Sequence, residues 1–300
     1  MITISRKGMR VLGVIGGSGL YDIPDLEILE RATVSTPWGE PSDQLTLGRI
    51  GGNDVVFLPR HGAGHRLQPT DLPYQANIYA LKQAGVTHLL TVSAVGSLRE
   101  DLPPETIVLP DQIIDRTVSR PRSFFGEGVV AHVGIAEPYC TDFGSRVLAA
   151  AARAGRPVAT GGTYVCIEGP QFSTKAESHL FRSWGCSVIG MTAMPEARLA
   201  REAELCYSTL AMVTDYDVWH ASEAEVSVEL VGKHLQKNAA AGRAIVTELV
   251  RSWSSLDRAC GCGDALANTI VTDPALIPGP TRRRLGLIAD RYLPPAPPDA

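Results

Sequence analysis

The sequence predicts an α/β fold in one domain, with a central mixed, largely parallel sheet flanked by helices. Three observations predict it. Short apolar runs alternate with helix-spaced segments from residue 11 to residue 253, the rhythm of strand–helix–strand units. No Ser/Gly linker and no internal repeat divides the 300 residues. A chain that is 44% hydrophobic and 20% charged can bury a sizeable core. The domain is expected to span 1–292, with 254–292 as a C-terminal extension packing on it. The Pro-rich end, LPPAPPDA at 293–300, is expected to be disordered.

The elements follow in chain order. Val11 to Ile15 is a first strand running into GGSG. VVFLP (55–59) is a strand that ends at Arg60-His61-Gly62. YQANIYALKQAG has helical spacing, and Gly85 stands where it should stop. THLLTVSAVGS (87–97), TIVLP (106–110) and GTYVCIEGP (162–170) are further strands. KAESHLFRSWG is a helix, CSVIGMT (186–192) a strand, PEARLAREAEL a helix and YSTLAMVTDYD (207–217) a strand. From Val226 to Trp253 one long amphipathic helix is expected, with Val231, Leu235, Asn238, Gly242, Ile245, Leu249 and Trp253 on one stripe.

The formal net charge of −4 argues against a nucleic-acid partner, which usually demands a basic excess. No run of about 18 apolar residues predicts a membrane span. RKGMRVLGVI (6–15) faintly imitates a signal peptide but continues into GGSG without a cleavage site, so a first strand is preferred. The six cysteines are scattered, and a cytoplasmic protein with mostly reduced thiols is expected. Cys260-Gly261-Cys262 is read as reduced, because a disulfide across one intervening residue is strained. Arg282-Arg283-Arg284 is read as a solvated helix face.

Ligands of open α/β sheets bind beyond the carboxyl ends of the strands. Five strand ends here carry small residues, hydroxyls, an Arg-His pair and two carboxylates. Gly17-Ser18-Gly19 lacks the third glycine of a dinucleotide fingerprint, and no G-K-[ST] triplet follows. It is either a tight turn or a compact cradle in which backbone N–H groups and Ser18 meet an oxyanion. Arg60 supplies a planar cationic fork suited to a phosphate-like anion, and His61 a second donor. Asp215 and Asp217 follow the apolar TLAMV. If the strand continues through them, both leave one face. Two buried like charges repel, so at least one pKa should rise, and such a carboxyl can donate a proton at neutral pH. A metal is not expected there, since His220 is the only further ligand nearby.

These residues are embedded in longer segments: VIGGSGLYD, LPRHGAGHRLQPTDLPYQANIYALKQAG, SAVGSLRED, DQIIDRT, GGTYVCIEGPQFSTKAES, IGMTAMPEARLAREAELCYSTLAMVTDYDVW and EVSVELV. In that order they resemble the trimeric purine nucleoside phosphorylase family, most closely its 5′-methylthioadenosine phosphorylase branch. The resemblance covers most of 11–250 and implies a three-layer fold and phosphorolysis of an N-glycosidic bond. It implies inorganic phosphate as cosubstrate, with no other cofactor and no metal. Ser18, Arg60, His61, Ser93, Ala94 and Thr192 resemble the phosphate ligands. Met191 resembles the residue beneath the ribose, Phe172 and Ser173 the base-pocket walls, and Thr214, Asp215 and Asp217 the segment that reads the base. His132 matches a residue that reaches a neighbouring subunit's site. A homotrimer is implied, with a hexamer as the other arrangement.

Chemistry refines the expected substrate. A carboxylate accepts from the 6-amino group of adenine and would face a 6-oxo group with acceptor against acceptor. Asp215 is the expected acid at purine N7. The resemblance adds that relatives taking ordinary nucleosides carry a histidine for the 5′-hydroxyl in this region; EVSVELV has none, and Val228 and Val231 suit a thiomethyl group. The alternatives are a 6-oxopurine nucleoside or methylthioinosine as substrate, a hydrolase, and a non-catalytic nucleoside-binding module.

Overall fold

In the computed structural model, residues 11–17, 20, 23–220, 228–253 and 258–295 are described. The strands are β1 (Val11–Gly16), β2 (Glu27–Ala32), β3 (Leu45–Ile50), β4 (Asn53–Pro59), β5 (Val86–Ser97), β6 (Ile107–Leu109), β7 (Gln112–Arg116), β8 (Ala159–Thr160), β9 (Thr163–Ile167), β10 (Cys186–Gly190) and β11 (Cys206–Asp215). The helices are α1 (Tyr74–Gln83), α2 (Thr141–Arg153), α3 (Lys175–Ser183), α4 (Ala193–Glu202), α5 (Val228–Arg251) and α6 (Gly279–Leu285). All strands join one mixed sheet, in which β2-β3-β4-β1-β5-β10-β9-β7 form the main path and β11 leads from β5 to β6 and β8.

The sheet is sandwiched by helices because its strands are apolar on both faces. In β1, Leu12 and Val14 face one core and Val11 and Ile15 the other; successive side chains of a strand alternate, and a strand covered on both sides reads as a continuous apolar run. The first core is closed by α2 and α5, through Phe143, Val147, Ile245 and Leu249. The second is closed by α1 and α4, through Ile78, Leu81, Ala197 and Leu199. From Asn238 to Trp253 the expected stripe of α5 is buried; Val231 and Leu235 lie outside the residues whose side chains are described. After α1, Gly85 takes φ +83°, the left-handed stop that glycine accepts without a Cβ clash.

Several elements went unread in the sequence. The edge strands β2 and β7 carry charge, as in EILERA and QIIDR, which guards an unpaired sheet edge and hides the strand pattern. In α2 the buried positions beyond Phe143 and Val147 are glycine and alanine, so the apolar stripe has little contrast. The expectation of disorder fails at the start of 293–300: Leu293 is buried, and Arg282 donates to the carbonyls of Leu293 and Pro294 and to Asp290; 296–300 lie outside the described residues. Arg282 is therefore a buried anchor rather than part of a solvated face.

Where α4 ends, Glu202 accepts from Phe124 N at 2.6 Å and from Ser123 Oγ at 2.7 Å. Burial pushes its carboxyl up to about 7. A folded pKa above the unfolded value gives a contribution that is complete below about pH 4.5 and lost as pH rises through about 7. Glu202→Gln keeps an acceptor for Phe124 and removes the charge. Its melting temperature should exceed the wild type's above pH 7 and match it near pH 4. Equal pH dependence in both proteins would contradict this.

Candidate active site

The central strand β5 creates the site by changing partners. Its register with β1 stops at Ile15↔Thr91, and its antiparallel register with β10 begins at Gly96↔Ile189. Along its other edge it stays paired with β11 from His88 to Gly96. Between Thr91 and Gly96 the sheet therefore splits, and a cavity of about 300 Å³ opens there. Ser93 and Ala94 line it from β5, and Gly17 and Leu20 from the loop after β1. Arg60 and His61 enter from the end of β4, Met191 and Thr192 from β10, and Thr214, Asp215 and Asp217 from β11. Phe172 and Ser173 complete one wall, and Asn238 and Ala239 border it from α5.

The cationic end is built on a buried ion pair. Arg60 is 2% exposed and Glu196, on α4, 1%. Arg60 Nε donates to Glu196 Oε1 at 2.6 Å, Nη2 to Oε2 at 3.2 Å and Nη1 to Val92 O at 2.9 Å. These hydrogen bonds fix the plane of the guanidinium, and Glu196 offsets part of its charge. Tyr207 Oη supports Glu196 Oε2 at 3.3 Å. Thr192 immediately precedes α4, and its side chain makes no capping hydrogen bond.

His61 differs from its expected role. Its Nδ1 lies 2.9 Å from Leu67 O, and a carbonyl only accepts, so Nδ1 carries the proton. Burial, then the charge of Arg60, lowers its pKa to about 4. The neutral ring therefore presents Nε2 as an acceptor, suited to a P–OH, and not as the second donor read from the sequence.

The acidic end is equally specific. Asp215 and Asp217 are 6% and 7% exposed. β11 ends at Asp215 and Asp217 takes φ +52°, so a turn, rather than the continued strand expected, delivers both carboxylates to the cavity. Asp215 Oδ2 accepts from Thr214 Oγ1 at 2.7 Å and Oδ1 from Asp217 N at 2.8 Å. Burial raises the pKa of both; the neighbouring Asp215 charge raises Asp217 further. Asp217 Oδ2 and Ser173 Oγ are buried and make no hydrogen bond of ordinary geometry among the described residues, and the Ser178 hydroxyl stands near enough to Asp217 to oppose part of its pKa rise. An acceptor and a hydroxyl left unpaired in a cavity cost free energy unless a ligand meets them. A Cβ on Gly96 would lie 2.9 Å from Asp215 Oδ1 and 3.2 Å from Asp217 Cβ, so only glycine lets β5 pass this close to the pair.

Eleven of the residues expected at the site meet in this one cavity. Ser18 lies outside the described residues, as do the side chains of Val228 and Val231, which sit in the first turn of α5. His132 is exposed and away from the cavity. Two organising residues were missed. Glu196 is one of several charges in PEARLAREAEL and is not singled out by the sequence. Arg120, buried, donates to the carbonyls of Glu168, Met191 and Met194 at 2.6–2.7 Å and to Tyr74 Oη at 2.8 Å. It thereby ties the end of β9 to the segment leading into α4. Neither is distinguished by its sequence context: Glu196 shares its segment with Arg198, Arg201 and Glu202, and Arg120 lies beside Pro121 and Arg122.

Known proteins resemble this chain in sequence and fold. A family model described as "Phosphorylase superfamily" matches residues 11–251. An S-methyl-5′-thioadenosine phosphorylase of Geobacter sulfurreducens is 52% identical over 95% of this chain and 99% of its own. One of Rhodospirillum rubrum is 52% identical over 94% and 97%. Among solved structures, a methylthioadenosine phosphorylase from an antarctic soil metagenomic library superposes with a TM-score of 0.88 at 45% identity, covering 94% of this chain and 99% of that one. The Schistosoma mansoni methylthioadenosine phosphorylase in complex with adenine gives 0.77 at 37%, covering 80% and 91%.

Proposed function

The chain belongs to the phosphorylase superfamily, and on that premise we propose that it cleaves 5′-methylthioadenosine with inorganic phosphate. A phosphate oxygen attacks C1′, the C1′–N9 bond breaks, and adenine and 5-methylthioribose 1-phosphate are released. The observation that carries this reading is one cavity lined both by Arg60, which buried Glu196 holds from behind, and Thr192 and by the buried carboxyls of Asp215 and Asp217.

Phosphate would sit against Arg60, Thr192, Ser18 and the Ser93–Ala94 backbone, with His61 Nε2 accepting from its remaining P–OH. Fixed donors there hold the nucleophile beside the positive charge that develops at C1′, an effect that is usually the largest in such sites. Met191 would underlie the ribose, and Phe172 and Ser173 would flank the base. Asp217 Oδ2, buried and without a hydrogen bond of ordinary geometry among the described residues, would accept from the 6-amino group, and Asp215 would protonate N7 as the base departs. The 5′-thiomethyl group would meet Val228 and Val231. No cofactor enters the reaction beyond phosphate as cosubstrate.

The assembly proposed with this chemistry is a homotrimer in a cytoplasmic setting. Exposed His132 would reach a neighbour's cavity, and a neighbour would cover Phe172, which is 45% exposed. Among the described residues no helix is long and apolar enough to cross a membrane, and all six cysteines are free.

A substrate panel tests the reading. Adenine should be released from 5′-methylthioadenosine only when phosphate is present, with kcat/KM well above that for 5′-methylthioinosine, inosine or guanosine. Release at the same rate without phosphate would make the protein a hydrolase. A preference for the 6-oxo substrates would overturn the role given to Asp217.

A further inference from the structure

Four cysteines far apart in the sequence converge at the end of β11 opposite the cavity. Cys140 precedes α2, Cys206 opens β11, and Cys260 and Cys262 lie in the C-terminal segment; their Sγ atoms all lie within 4.8 Å of one another. Cys206 Sγ and Cys260 Sγ are 3.4 Å apart. We propose that these four side chains, as thiolates, hold one Zn²⁺ ion that fastens the C-terminal segment to the base of β11.

Geometry favours this occupant. Zn–S bonds of about 2.3 Å in a tetrahedron put sulfurs roughly 3.8 Å apart, and a Cys206–Cys260 separation of 3.4 Å with no pair beyond 4.8 Å accommodates that edge. Joining the same atoms in pairs would draw each pair to about 2.05 Å, and the Cys260–Cys262 pairing would be strained. Cys140, Cys206 and Cys262 are buried and Cys260 half-buried, so the ion would be shielded and still have a way in.

The surroundings also suit a thiolate cluster. Phe143 N donates to Cys140 Sγ at 3.4 Å, and Arg201 Nη1 donates to Cys262 Sγ at 3.4 Å. Arg201 is itself held by Glu137 O. Four thiolates and Zn²⁺ carry a net charge of −2, which these donors and the Arg201 guanidinium offset. An all-sulfur tetrahedron selects zinc over the hard cations, and with four protein ligands it leaves no open position for chemistry. None of the four cysteines lines the cavity, and Cys206 stands nine strand residues, about 30 Å, from Asp215. The ion is therefore structural. The segment is also held close to the cluster by Arg258 on Glu204 O and Thr87 O, and by Leu266 N on Glu204 Oε1.

The test uses the full chain, purified under reducing conditions without chelator. Elemental analysis should find one zinc per chain. Exchange for Co²⁺ should give the d–d and thiolate-to-cobalt bands of a tetrahedral tetrathiolate site. A strong chelator should lower the melting temperature, and added Zn²⁺ should restore it; the doubly substituted Cys260→Ser, Cys262→Ser protein should show neither response. The cobalt spectrum of the wild type decides the matter if that variant fails to fold. Absence of stoichiometric metal together with absence of the cobalt bands would overturn the proposal. So would an intact mass short by two or four hydrogens, the mark of disulfides among these residues. A different ion at full occupancy would overturn the assignment of zinc.

Discussion

Asp215→Asn is expected to lower kcat for 5′-methylthioadenosine by about 10²- to 10⁴-fold, the usual worth of a placed general acid, while phosphate KM stays near the wild-type value. The substitution is conservative for the fold. Asn keeps an oxygen for Asp217 N, and its amide can donate to Thr214 Oγ1, which has Val95 O at 3.3 Å as a second acceptor. What disappears is the proton. In the wild type the same neighbours serve both states of the acid. With Thr214 turned toward Val95 O, Oδ2 can carry the proton. Once the proton has passed to N7, the hydroxyl turns back and, with Asp217 N, stabilises the carboxylate left behind. Burial keeps the carboxyl above its ordinary range, so the protonated form persists to higher pH than in an exposed aspartate. Wild-type kcat should fall as pH rises through that raised pKa, and the variant should lack that limb. Turnover by the variant equal to the wild type's, with the limb still present, would remove Asp215 from the chemistry.

The sequence shows such a residue readily and its supporting partners poorly, for a physical reason. A strand buried on both faces must be apolar throughout, so a carboxylate, Arg-His pair or hydroxyl at its end stands out, as at Arg60, Thr192 and Asp215. Partners that act from helices do not. Glu196 sits in the first turn of α4, where an acid is also favoured by the helix dipole, and only the fold places Arg60 against it. The four cysteines are legible as residues, but their meeting depends on contacts spanning 122 positions from Cys140 to Cys262, which periodicity cannot report. The turn at Asp217 was misread because i and i+2 share a face only while the chain stays extended. A non-glycine residue at positive φ is uncommon enough that the alternation rule carried no warning of it.

Arg60 joins the structural and chemical accounts, and a pair of variants separates them. Arg60→Met leaves Glu196 buried without its cation. Breaking a buried pair from one side costs about 3–5 kcal/mol, so the variant should unfold at markedly lower urea and lose saturable phosphate dependence. Both losses could then come from the orphaned carboxylate. Adding Glu196→Gln removes that charge and leaves a side chain able to hydrogen-bond Tyr207, whose Oη already contacts Glu196. Replacing both members of a buried pair is often neutral or stabilising, so the double variant should regain most of the urea midpoint. It should not regain phosphate affinity, because the anion would still lack the fork that Glu196 holds in place. If midpoint and phosphate saturation returned together, Arg60 would be only the counter-charge of Glu196, and the anion would have to be held by Thr192 and the loop after β1. If stability returned alone, the guanidinium would be doing two separable things, neutralising a helix acid and receiving the nucleophile.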